Sequence, residues 1–264
     1  MDLNLKGKTA LITGSTSGIG FATAKILLKE GVTVYINGRN HSSVENAVSH
    51  LKSEVSSAEV FGIVADFFQL NQVENLLEEL IEIDILINNV GIYTSKSFFE
   101  TPIETWKDQF QVNLMSSVSL SKHYLKGMLD RNWGRILFIS SECAYLVPPD
   151  MISYSATKAS MHAVSRGLAH ITRGTQVTSN VVVPGSTLTK GAKTFLADKA
   201  KEYNTSLEAV EKDFFNNDRT SSLLKRFAST DEVATTIAYL CSPLSSATNG
   251  SVIKVDGGSS GGIL

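Results

Sequence analysis

Thr9-Ala-Leu-Ile-Thr13-Gly14-Ser-Thr-Ser-Gly18-Ile-Gly20 is the stretch on which the reading of the fold turns. Its first five residues form a short apolar run, as expected of a strand buried on both faces. A glycine-rich turn follows directly. Ile19, Ala22, Ala24, Ile26 and Leu27 then repeat at helical spacing until Gly31 stops the pattern. Strand, glycine turn and helix together are what a phosphate-binding loop requires. Gly14, Gly18 and Gly20 let the backbone approach a pyrophosphate. The start of the helix, with Ser17 and Ile19, offers free N–H groups and the positive end of a dipole. The spacing is Gly-x-x-x-Gly-x-Gly rather than the commoner Gly-x-Gly-x-x-Gly.

Further strands follow at the intervals of a βαβ pattern. Residues 32–37 predict the second, and residues 42–52 an amphipathic helix through Val44, Ala47, Val48 and Leu51. Where NAD-binding units carry a carboxylate at the end of the second strand, this chain has Gly38 followed by Arg39. A missing acid beside a guanidinium favours a 2′-phosphate, and so NADP(H) over NAD(H). A third strand over 59–64 leads to Asp66, which is placed either to accept from an adenine amino group or to cap the next helix. A helix over 72–81 precedes a fourth strand over 84–88, ending in Asn88-Asn89-Val90-Gly91. The amides there can brace neighbouring backbone, and Gly91 lets a cofactor pass closely.

A long helix is expected over 104–129, with Asn113 among apolar neighbours, either as a buried structural amide or as a functional group. A fifth strand runs to Ser140-Ser141. After a loop over 142–153, a helix from Tyr154 to Thr172 carries Tyr154 and Lys158 on one face. The lysine cation favours tyrosinate and is expected to lower the phenol's pKa toward the working pH of a general acid/base. A sixth strand over 177–183 is broken by Pro184-Gly185, with Thr189 beyond. The segment 190–228 is the least regular and reads as a substrate lid. It contains a capping-box signal at Thr205/Glu208 and a stripe of Leu207, Val210 and Phe214, which with Phe215 suits either packing or an apolar substrate. A helix over 231–241, begun by a Thr230/Asp231 cap, and a strand over 251–255 close the pattern.

The chain of 264 residues is 42% hydrophobic and 19% charged, which suits one α/β domain spanning 1–264. A net charge of −2 gives no reason to expect nucleic acid or an anionic membrane as partner. No run reaches the ~18 apolar residues of a spanning helix, and residues 1–8 show no apolar signal core. Cys143 and Cys241 make no disulfide framework and fit a reducing, cytoplasmic setting. No metal-ligand spacing occurs. His123 and His162 read as helix-surface or interface residues.

With these motifs together, the sequence resembles the short-chain dehydrogenase/reductase family over nearly its whole length. Thr13-Gly14 with Gly18-Ile19-Gly20 resembles that family's cofactor loop, Asp66 its adenine-contacting Asp, and Asn88 to Gly91 its Asn-Asn-Ala-Gly element. Asn113, Ser141, Tyr154 and Lys158 match its catalytic tetrad, and Pro184-Gly185 with Thr189 its nicotinamide-amide motif. The departures are Val90 for the usual Ala, Ala144 where Gly is frequent, and a longer segment before Phe227.

The resemblance implies a Rossmann-type doubly wound α/β sandwich, with a seven-stranded parallel sheet and helices on both faces. It implies hydride transfer between NADP(H) and a carbonyl or secondary alcohol. Tyr154 would be the acid, Ser141 would bind the substrate oxygen, and Asn113 would hold a relay water. Lys158 would tune Tyr154 and bind the nicotinamide ribose. A 3-oxoacyl thioester is one possible substrate. An NAD-dependent alcohol, sterol or polyol dehydrogenase and a non-catalytic NADP sensor are the rival readings. The family further implies a homotetramer or homodimer through the two long helices and the C-terminal strand.

Overall fold

The computed structural model describes residues 2–262. Seven strands form one sheet: β1 (Thr9–Ile12), β2 (Thr33–Gly38), β3 (Val60–Val64), β4 (Ile85–Asn88), β5 (Gly134–Ile139), β6 (Val177–Pro184) and β7 (Val252–Val255). Their order is β3-β2-β1-β4-β5-β6-β7, and every pairing is parallel. Strand alternation sorts the apolar side chains onto two faces. Ala10, Ile12, Ile85, Ile87, Leu137, Ile139 and Val182 face one core. The helices α1 (Gly18–Lys29), α2 (His41–Glu54) and, from the far end of the chain, α10 (Thr230–Cys241) cover it. Leu11, Leu86, Ile136, Phe138, Val181 and Val183 face the other core. That core lies under α3 (Leu70–Glu79), α5 (Ser116–Asp130) and α7 (Ile152–Ile171). This is the expected doubly wound sandwich.

The strand order turns at β1/β4, because β2 lies on one side of β1 and β4 on the other. Ligands of open α/β sheets bind at the strand C-termini beside such a switch point. The glycine loop, Asn89 to Gly91 and Ser141 all lie at that edge.

The helix expected over 104–129 is three pieces. An α4 segment (Ile103–Gln109) runs into a π-helical turn over Phe110–Met115, and α5 continues from Ser116. Asn113 sits inside the π turn. The loop expected over 142–153 contains a short helix, α6 (Cys143–Leu146). The lid is more regular than its sequence suggests, with α8 (Lys190–Glu202) and α9 (Leu207–Asn217). It has its own small core of Leu196, Val210, Phe215 and Phe227. Phe214 stacks on Phe227 at 5.2 Å between ring centroids. The Val210/Phe214/Phe215 stripe is therefore packing, while Leu207 stays exposed.

Two expected caps move by one residue. Ser206, not Thr205, caps α9 by accepting from the Ala209 N–H. Ser229, not Thr230, caps α10 in a capping box with Glu232.

Candidate active site

The glycine loop is held open by groups behind it. Asn37, buried at the end of β2, accepts from the Gly14 N–H (3.1 Å) and donates to the carbonyls of Ile63 (3.3 Å) and Ala65 (3.2 Å). Thr13 Oγ1 accepts from the N–H groups of Asn89 and Val90, and Asn89 Nδ2 donates to the carbonyls of Thr13 and Gly14. These bonds lock the first and fourth strand ends together.

Gly14 and Gly18 have φ of +60° and +63°, conformations that favour glycine. A Cβ on Gly20 would stand 2.6 Å from Asn89 Nδ2 and 2.8 Å from Ser15 Cα. Ser17, the N-cap of α1, makes no side-chain cap bond, so its first N–H groups face the loop. Thr189 caps α8 by accepting from the Ala192 N–H. Its Cγ2 would lie 3.6 Å from a Cβ on Gly18, which places the start of the lid against the glycine loop.

Gly38 is buried, and a Cβ there would meet Thr16 Cγ2 at 2.5 Å and Val44 Cγ2 at 3.0 Å. An acidic side chain at this position has no room. Arg39 next to it is exposed at the outer end of the groove. Asp66 closes a local turn by accepting from the Phe68 N–H (3.1 Å).

Asn88 is buried, and its amide donates to Ser121 Oγ of α5 (3.5 Å), on the same side of the sheet as Leu86. The side chain that braces the loop is that of Asn89, which leaves Asn88 its backbone with which to meet a cofactor. Pro184 O accepts from the Glu142 N–H (2.9 Å). Gly185 lies so close to Asp256 that a Cβ would meet its backbone at 2.6 Å.

The reacting end is assembled around Lys158. Its Nζ donates to the Ile139 carbonyl (2.8 Å) at the end of β5 and lies 5.7 Å from the centroid of the Tyr154 ring. A Cβ on Gly91 would stand 3.2 Å from this ammonium and 3.6 Å from Asn113 Oδ1. The Asn113 amide accepts from the Ile92 N–H (2.8 Å) and donates to the Ile92 carbonyl (2.9 Å) and to Thr157 Oγ1 (3.0 Å). Both its N–H donors are spent on protein, so its side chain clamps the 91–92 backbone to α7. Its Oδ1 accepts from Ile92 alone and keeps a second lone pair, on the Gly91 and Lys158 side, from which a relay water could be held.

Ser141 Oγ accepts from the Cys143 N–H (3.2 Å) and keeps its own proton to give. Tyr93, exposed at the mouth, meets the half-buried Tyr154 ring edge-on at 6.0 Å.

Burial sets the electrostatics here. It pulls the Lys158 ammonium down to about 8. It pushes the Tyr154 phenol well above its ordinary value, with the charge of nearby groups including Glu142 adding to the rise and the Ser141 hydroxyl opposing it. In the protein alone desolvation thus raises the Tyr154 phenol, the opposite of the lowering expected from Lys158. Among the described residues, no cluster of His, Cys, Asp or Glu could hold a metal.

Several residues of this site carried no sequence expectation. Asn37 and Thr157 look like ordinary strand-end and helix residues. Glu142 is buried beside Ser141, and its Oε1 accepts from Ser186 Oγ (2.9 Å) and Arg219 Nε (3.3 Å). Only the pairing of distant segments reveals them.

A family model described as short chain dehydrogenase matches residues 8–200. An uncharacterized oxidoreductase of Bacillus subtilis, YvaG, is 41% identical over 98% of each chain. The 3-oxoacyl-[acyl-carrier-protein] reductase FabG of Aquifex aeolicus is 30% identical over 98% of this chain and 99% of its own. Among solved structures, L-sorbose reductase from Gluconobacter frateurii, complexed with NADPH and L-sorbose, superposes with a TM-score of 0.93 at 28% identity, covering 100% of both chains.

Proposed function

The chain belongs to the short-chain dehydrogenase family and is an oxidoreductase with a dinucleotide-binding fold, and from that premise we propose that it is an NADPH-dependent reductase of carbonyl compounds. The glycine cradle suits a nicotinamide dinucleotide. Gly14, Ser17, Gly18, Ile19 and Gly20 would hold the pyrophosphate, Arg39 the 2′-phosphate, Asp66 the adenine, and Pro184, Gly185 and Thr189 the nicotinamide amide. Two features support NADP(H): the steric exclusion of an acid at Gly38, and the exposed Arg39 beside it. The relative solved with NADPH agrees.

When bound, the reduced cofactor supplies the hydride. Ser141 donates a hydrogen bond to the substrate oxygen and stabilises the charge that develops there. Tyr154, which burial keeps protonated at neutral pH, gives that oxygen its proton. Lys158 keeps its ammonium below a pH of about 8 and supports charge on Tyr154 as the proton leaves. Gly91 leaves Lys158 open to the ribose hydroxyls. Asn113 acts as a positioning residue through Ile92 and Thr157.

The observation that carries this reading is the meeting of Lys158 Nζ, the Ile139 carbonyl, Gly91 and the Tyr154 ring at one sheet edge. The test is oxidation of NADPH and NADH by the purified protein against a panel of aldehydes, ketones and 3-oxoacyl thioesters. NADPH-selective turnover is expected. Preference for NADH would favour the NAD-dependent dehydrogenase. Tight cofactor binding with no turnover would favour a sensor.

The chain also forms a homodimer or homotetramer on this reading. The outer faces of α5 and α7 line an apolar groove with Val118, Leu125, Leu129, Val164, Leu168 and Ile171. Light scattering on the purified protein checks it: a monomer contradicts the assignment.

A further inference from the structure

Glu142 follows Ser141 directly and is 4% exposed. One of its carboxylate oxygens is fully employed. Oε1 accepts from Ser186, which follows Pro184-Gly185, and from Arg219, which lies beyond α9 in the lid. The other, Oε2, is shut away from solvent and has no hydrogen-bond donor among the described residues. A buried carboxylate oxygen without a donor is costly, and native structures supply one. Arg219 of the lid holds Oε1, and the residue before Glu142 in the chain, Ser141, is the one assigned to the substrate oxygen.

Resting on the reductase reading, we propose that Glu142 is a substrate-specificity residue whose Oε2 accepts a hydrogen bond from a hydroxyl of the substrate. The substrate is then a hydroxylated carbonyl compound, with an alcohol group near the reacting carbonyl, rather than a ketone flanked only by hydrocarbon. Two features narrow the class further. Arg219 balances the charge of Glu142, so the pair presents no net charge to a neutral polyhydroxy ketone. An anionic group placed at Oε2 would face a carboxylate and is disfavoured. A methyl group at the same place would leave Oε2 without a donor, and sites built to bond a substrate hydroxyl reject analogues that lack it. The carboxylate is thus aimed by Arg219 of the lid and by Ser186 just after β6, while the lid's aromatic residues pack on one another.

The test uses an isosteric pair, 1-hydroxybutan-2-one and pentan-3-one, in which a methyl replaces the hydroxyl. Wild-type kcat/KM with NADPH is expected to favour the hydroxyketone by about tenfold or more. Glu142→Leu is expected to level the ratio by losing the hydroxyketone alone, and Glu142→Gln to keep part of the preference through its amide oxygen. A second readout needs no chemistry: the affinity of the NADPH-loaded protein for butane-1,2-diol against pentan-3-ol, by thermal-shift titration. The diol is expected to bind more tightly. Equal affinities, or equal turnover of the two ketones, overturn the subsite and assign the missing donor to water. If neither ketone is reduced, the affinity ratio alone decides the subsite, and the reductase reading is decided separately by the wider carbonyl panel. If Glu142→Leu does not fold, the wild-type ratios remain decisive.

Discussion

Lys158 lies over the face of the Tyr154 ring, with its Nζ 5.7 Å from the centroid, while donating to the Ile139 carbonyl at 2.8 Å. The two residues stand four apart on α7, so the helix fixes their pairing and β5 fixes the height of the ammonium. Burial opposes charge on both.

That opposition predicts a pH signature in stability. Native Lys158 releases its proton near 8, whereas the unfolded chain holds it to 10.5. Between these values the unfolded state binds more protons, so stability rises with pH there. Tyr154 acts in the opposite sense only above its ordinary value of 10.0, where the unfolded chain has lost a proton the native one retains. From about pH 7.5 to about pH 9.5, wild type should therefore gain stability relative to Lys158→Met. Urea unfolding of both proteins across this range is the check, and a flat difference would remove the buried-ammonium assignment.

Arg39 and Gly38 set the cofactor preference together. Losing a bidentate phosphate contact costs about 1.5–3 kcal/mol. Arg39→Ala should weaken NADPH about tenfold or more and NADH little. Gly38→Asp should not by itself create an NADH site, because its Cβ meets Thr16 and Val44. Fluorescence titration of both nucleotides checks each point, and equal weakening by Arg39→Ala would contradict the phosphate role.

Asn37 is the hidden support of the glycine loop. Asn37→Ala leaves the Gly14 N–H and the Ile63 and Ala65 carbonyls without this partner. The expected loss is about 2–4 kcal/mol of stability, together with weaker binding of both nucleotides. Thermal unfolding and titration measure the two effects. An unchanged affinity would show that the loop holds its shape without Asn37.

The parts of this molecule that repeat were legible in its sequence, and the parts that depend on distant contacts were not. Apolar alternation in residues such as Ala10, Leu11 and Ile12 announces a strand between two helical layers, and the glycines mark the loop after it. Alternation also places Asn88 on the face of Leu86 and Asn89 on the other, although the two amides are adjacent in one motif. The π turn around Asn113 was invisible because its amide is held by Ile92 and Thr157, far along the chain. The caps at Ser206 and Ser229 each adjoin a threonine that could serve equally well, and only the path of the incoming backbone chooses between them. The ion pair of Glu142 and Arg219 joins residues 77 apart, with no local pattern to announce it.

The central claim is that Tyr154 gives the proton in carbonyl reduction, and Tyr154→Phe tests it most directly. The measurement is NADPH oxidation with the best carbonyl substrate, alongside NADPH affinity by fluorescence. Removing only the hydroxyl should abolish turnover while affinity stays close to wild type. Near-native turnover with the same affinity would contradict the assignment of Tyr154 as the acid.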